Sequence, residues 1–131
     1  MDEAILQILE QLEKKQGIME GILSTTQDID AMFQINDAQG ADMALNIRME
    51  QINEAMNCDE EIGRIIDQME LSKALKLEKI IKLDLEGMAP DADEQALIEA
   101  INIIRHVAGR AMEIDKKFSI KIIGESSIYK Q

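Results

Sequence analysis

The chain has 131 residues, enough for one domain with its own core. It is 46% hydrophobic and 31% charged, with a net charge of −12, three aromatic residues, one proline and one cysteine. That composition argues against a disordered chain, a β-rich domain, a disulfide framework and a basic surface for nucleic acid or anionic membrane.

The acidic excess is confined to one half. Residues 1–71 hold 16 acids and 4 bases, whereas residues 72–131 hold 10 of each. Uninterrupted apolar runs reach only two or three residues, and the opening MDEAIL lacks the basic and apolar regions of a signal peptide. The expectation is a cytoplasmic protein whose core is built from Ile, Leu, Met and Ala, in an all-α fold.

The first expected helix runs from about Asp2 to Ile35. Ile5, Leu12, Met19 and Phe33 fall on a seven-residue repeat with Thr26 its one polar member, and Ile8, Ile22 and Ile29 fill the companion position three residues on, with Lys15 the exception. Two interleaved heptad positions are what a bundle or coiled-coil seam requires. Gly17 and Gly21, four apart, either weaken this helix or let a neighbour approach closely. Asn36-Asp37-Ala38-Gln39-Gly40 is the first break.

A second pattern then runs through Leu45, Met49, Ile52, Met56, Ile62, Ile66 and Met69 and continues to Leu85. As one helix it would overhang its neighbours by roughly 20 Å at ~1.5 Å per residue. It therefore breaks near Asn57 or Ser72, or something covers the overhang. Asn57 and Glu60 have capping-box spacing, which would put Cys58 beside a helix start. Gly87-Met88-Ala89-Pro90 ends the pattern, with Gly87 as the C-cap.

The last helix is expected to start at Asp91 or Asp93, since Asp91 and Glu94 also have capping-box spacing. Its apolar stripe is Leu97, Ile101, Ile104, Ala108, Ala111, Phe118 and Ile122, and Gly124 closes it. The expected architecture is an elongated, coiled-coil-like antiparallel bundle of three long helices over residues 1–123, the middle one whole or broken in two. Residues 124–131 form a flexible tail.

Chemistry is hard to find in this sequence. The one histidine, His106, is followed by Gly109 and Arg110. Small acidic bundles that carry a phospho-accepting histidine place a small and a basic residue near it, though usually in the reverse order. His106 is therefore either a phosphotransfer residue or an ordinary surface residue beside the seam. One His and one Cys far apart supply no metal site, and no cofactor motif, nucleophile elbow or phosphate-binding loop occurs, so no catalytic residue is assigned. Lys73, Lys76, Lys79 and Lys82 recur every three residues and are expected to pair with acidic helices or water. The nine methionines suit either an aromatic-poor core or an adaptable protein-binding face.

Three stretches carry a family resemblance: a first helix ending near Asp37; ADMALNIRMEQIN with Leu45 and Arg48, followed by Asp59 and Ile62; and ALIEAINIIRHVAGRAMEIDKKFSIKI. Together they resemble the flagellar export chaperones of the FlgN and FliT type. The resemblance implies a non-enzymatic cytoplasmic chaperone for hook–filament junction or filament-cap proteins. Its partners would be an amphipathic helix of the substrate and proteins of the type III export gate. Carried over by position, the substrate site would be Ile104, Ala108, Ala111, Ile114, Phe118 and Ile122, with Tyr129 as the contact to the export machinery. A helical dimerisation module, with the overhanging middle helix as its homodimer interface, is the remaining reading.

Overall fold

The computed structural model describes residues 2–125, and side chains as far as Lys117. Among the described residues there are four helices: α1 (Glu3–Gln34), α2 (Ala38–Asp67), α3 (Leu71–Ile81) and α4 (Ala92–Glu125). The middle pattern is thus two helices, the broken form of the expected middle element, which leaves three long helices and a short one. Among the described residues no helix is long and apolar enough to cross a membrane.

Each boundary has a local cause. Asp2 caps α1 by accepting a hydrogen bond from the Ala4 amide at 2.8 Å. Asn36, with φ of 57°, is the left-handed residue that stops α1. The Asn36 and Asp37 amides bond back to the carbonyls of Phe33 and Met32, closing a Schellman motif. Asp37 then caps α2 through the Gly40 amide at 2.8 Å. A β-carbon on Gly40 would lie 2.5 Å from the Asp37 carboxylate, so this cap requires glycine there.

Three expected boundaries are corrected. The Asn57–Glu60 pair starts nothing, because α2 runs through it. Ala55, Cys58 and Ile62 continue the buried stripe there, leaving Cys58 buried in mid-helix. The break falls at residues 68–70, beside Ser72, the other position expected for it. The end of α3 comes at Ile81, well before Gly87, with Leu83 as the left-handed residue at φ of 56°. The Leu83 and Asp84 amides bond to the Ile80 and Lys79 carbonyls, so leucine takes the place glycine usually fills. Finally, α4 runs through Gly124 to Glu125, and residues 126–131 lie outside those described.

The capping box before α4 is as the sequence implies. The Glu94 amide donates to Asp91 Oδ1 at 2.8 Å, and the Asp91 amide donates to Glu94 Oε1 at 3.0 Å.

Helix α1 is the spine, and both α2 and α4 pack along it. The ion pair Lys15–Asp59 and the hydrogen bond from Arg48 to Thr26 show α2 descending as α1 rises. By contrast, α4 rises with α1: Leu12 meets Ile101 and Ile104, Leu23 meets Val107 and Ala111, and Ile29 meets Ile114. Gly21 lets α2 come close, since a β-carbon there would sit 3.1 Å from Gln51 Nε2, whereas Gly17 faces open space. The main core lies at the end where α3 fills the seam between α2 and α4, with Ile8, Ile66, Leu77, Ile80, Leu97 and Ile98 at its centre.

Candidate protein-binding groove

The backbones of α2 and α4 do not approach each other closely among the described residues. They are held apart on α1, and the seam between them is a groove. Its lower part holds α3, whose Leu77 and Ile80 are buried and whose Ala74 and Ile81 are half-buried. At the C-terminal end of α3 the groove opens into a cavity of about 430 Å³. Leu12, Ile62, Ile66, Ile81, Ile101 and Ile104 line it, with Lys15, Asp59 and Arg105 at its edge. Arg105 Nη2 donates to the Lys82 carbonyl at 3.3 Å and so ties α4 to the end of α3.

Past α3 the walls continue without a fourth helix between them. On α2, Asp59 and Gly63 line the cavity, and Met56 and Ile52 precede them at helical spacing on the same side. Met49 lies one turn further along. On α4, Ile101, Ile104 and Arg105 line the cavity, and Ala108 and Met112 extend that stripe. Met49, Ile52, Met56 and Met112 are 66%, 43%, 54% and 60% exposed, where Ile29 on the spine is 0% exposed. Leu6, Ile35, Met43, Ile47, Leu71, Leu75 and Ile103 are exposed elsewhere, but these four line one seam, and a contiguous apolar patch marks an interaction site.

A polar node closes the far end. Arg48 Nη1 donates to Asp115 Oδ1 at 2.7 Å and to Thr26 Oγ1 at 3.2 Å, joining α2, α4 and α1. Thr26 is fully buried and donates its hydroxyl proton to the Ile22 carbonyl at 2.7 Å. The node holds α2 and α4 at a fixed separation without filling the space outside it.

The site residues expected on α4 divide into three sets. Ile104 lines the cavity, and half-buried Ala108 extends its wall. Ala111 is buried against Leu23 and Val107, and Ile114 packs between the Leu23 and Ile29 clusters, so both face α1 rather than the groove. The side chains of Phe118 and Ile122, and all of Tyr129, lie outside the described residues. Sequence reasoning left out the α2 wall. Met49 and Met56 stand out there as methionines on an apolar stripe, but only the structure separates the exposed flank from the buried one.

His106 and Arg110 are exposed on the face of α4 turned away from the groove, and Gly109 is exposed one turn beyond Arg105. No group of three or more His, Cys, Asp or Glu residues able to hold a metal occurs among the described residues.

Two ion pairs sit at the closed end. Lys76 Nζ lies 2.8 Å from Glu94 Oε2, and this hydrogen bond holds the Lys76 amine above its ordinary value. The Asp2 carboxyl is held below its ordinary value, chiefly by the Ala4 amide, with Lys73 3.5 Å away adding to the effect. Comparison of the chain with protein-family models, curated proteins and solved structures found no match.

Proposed function

We propose that this chain is a non-catalytic chaperone that holds an amphipathic helix of another protein in the groove between α2 and α4. The observation that carries the proposal is the exposed stripe Met49, Ile52 and Met56, facing a seam that α3 fills only in part. A docked helix would bury that stripe and supply the missing fourth element, a recurring mode of peptide recognition. Methionine walls suit the task, because flexible, polarisable side chains repack around different apolar partners.

The resemblance to flagellar export chaperones supplies the client class. In this proposal the clients are hook–filament junction or filament-cap proteins, held unassembled in the cytoplasm and passed to the type III export apparatus. The acidic first half keeps a complex with an aggregation-prone client in solution.

The test is a titration of the purified chain with the C-terminal helical regions of such late substrates. The expected result is one-to-one binding that is lost in the double variant Met49→Glu, Met56→Glu while the helical content stays unchanged. If none of these substrates binds, the client assignment fails. If binding survives the double variant, the groove assignment fails.

A further inference from the structure

The lower part of the groove already holds a helix, and its chemistry is distinctive. Residues 71–82 carry four lysines and one acid, the most basic stretch of an otherwise acidic protein. Leu77 and Ile80 point into the core, while Lys73 and Lys76 reach Asp2 and Glu94 at the groove edge. So α3 is a short basic amphipathic helix seated between acidic α2 and near-neutral α4, with two of its lysines paired to carboxylates.

The open part continues the same seam, with the same kind of floor and an acidic edge. Helix α2 carries seven acids and two arginines over residues 38–67. Both arginines are engaged, Arg48 by Asp115 and Arg64 by Glu61. Helical spacing puts Asp42, Asn46, Asn53 and Glu60 along the outer side of the Met49–Ile52–Met56 stripe, all of them exposed. No base interrupts that edge. The opposite edge, on α4, presents Arg105 and Lys116. From Met49 to Asp59 the open wall spans about 15 Å, roughly three helical turns.

Resting on the helix-in-groove reading above, we propose that the occupant is a basic amphipathic helix of a partner protein, about five turns long, enough to reach from Glu60 to Asp42. Its apolar face covers Met49, Ile52, Met56 and Met112. Its lysine or arginine flank lies along the Asp42–Glu60 edge of α2, and its other flank, neutral or acidic, lies along Arg105 and Lys116. The net charge of −12 draws such a helix in from a distance. A second copy of this chain fits poorly, since pairing α2 stripes would bring two acidic edges together.

The probes are two synthetic alanine-rich helices of about 20 residues with the same leucine face, long enough to be helical alone as checked by circular dichroism. One carries lysine along one flank and the other glutamate at the same positions. Fluorescence anisotropy against the full chain reads their affinity. The lysine helix is expected to bind at least about ten-fold tighter than the glutamate helix, a preference that shrinks at about 0.5 M salt. Asp42→Lys with Glu60→Lys should remove the preference. Ile52→Glu with Met56→Glu should remove binding of both.

Equal affinity of the two helices would overturn the proposal. So would binding that is indifferent to Ile52→Glu with Met56→Glu. A stable dimer that excludes both peptides, seen by sedimentation, would overturn it as well. The two levels separate cleanly. Late flagellar substrates that bind the groove without any charge preference defeat this inference and leave the chaperone reading standing. Charge-selective binding of the lysine helix with no binding of those substrates does the reverse for the client class.

Discussion

The two halves of this bundle are built from the same kinds of residue, yet one is finished and the other is not. At the lower end four helices enclose Ile8, Leu77, Ile80, Leu97 and Ile98 in one continuous core. At the upper end three helices enclose only small clusters around Leu23 and Ile29. There Met49, Ile52, Met56 and Met112 face outward. The difference is a single short helix: α3 ends at Ile81, while α1, α2 and α4 continue. An apolar flank without a partner within its own fold contributes little to stability and is available for binding.

The comparison breaks most directly through stability. Leu97→Ala or Ile80→Ala should cost about 2–5 kcal/mol in chemical denaturation, because each empties a fully buried site. Ile52→Ser or Met56→Ser should change stability by no more than ~0.5 kcal/mol, because those side chains are solvated. Comparable losses at both ends would mean that the upper stripe is covered in the free protein.

A smaller effect sharpens the role of the closed end. Glu94 is buried, completes the capping box and meets Lys76. Glu94→Ala should cost about 1–3 kcal/mol, of which the cap alone accounts for roughly 1. Helix α3 should loosen first, since Lys76 is one of its ties to α4. Hydrogen exchange over residues 71–81 reads this.

The glycines of α1 divide in the same way. Gly17 faces open space, so Gly17→Ala should raise stability by about 0.5–1 kcal/mol through helix propensity alone. At Gly21 the added methyl must displace the end of Gln51, so Gly21→Ala should gain less than Gly17→Ala. Thermal melting of the two variants side by side checks the order.

The smallest expected effect is on pH dependence. The Asp2 carboxyl titrates below its unfolded value, so its contribution is complete above the ordinary carboxylate range and fades as pH falls through the folded value. Lys76 titrates above its unfolded value, so its contribution is complete below 10.5 and fades as pH rises beyond it. Neither group makes stability vary with pH near neutrality. Asp2→Asn should flatten the acid limb slightly, as measured by melting across pH.

Much of the fold is legible in the sequence, because three of its signals are local. The heptad of α1, the turn at Asn36–Asp37 and the capping box at Asp91–Glu94 each depend on residues within one or two turns. The internal boundaries of the middle stretch are not legible. Asn57 and Glu60 have the right spacing for a cap, but amides in the middle of a helix already have partners, and the buried stripe through Cys58 decides the matter. The end of α3 lacks the usual glycine. Leu83 takes the left-handed conformation while its side chain packs on the core, a tertiary effect that no local pattern reveals. The groove is half legible for the same reason. Ile104 and Ala108 sit on the expected α4 stripe, but which flank of α2 lies open depends on where α3 stops.

The most direct test of the open groove uses the methionine methyl groups as reporters. The nine methionines can be labelled at their ε-methyl carbons and followed by NMR while a late-substrate helix, or the lysine-flanked peptide, is titrated in. The open-groove reading predicts shifts at Met49, Met56 and Met112. Met69 and Met88, packed at the closed end, and Met43, on another face of α2, should stay still. Shifts confined to Met69 and Met88, or spread evenly over all nine, would contradict it.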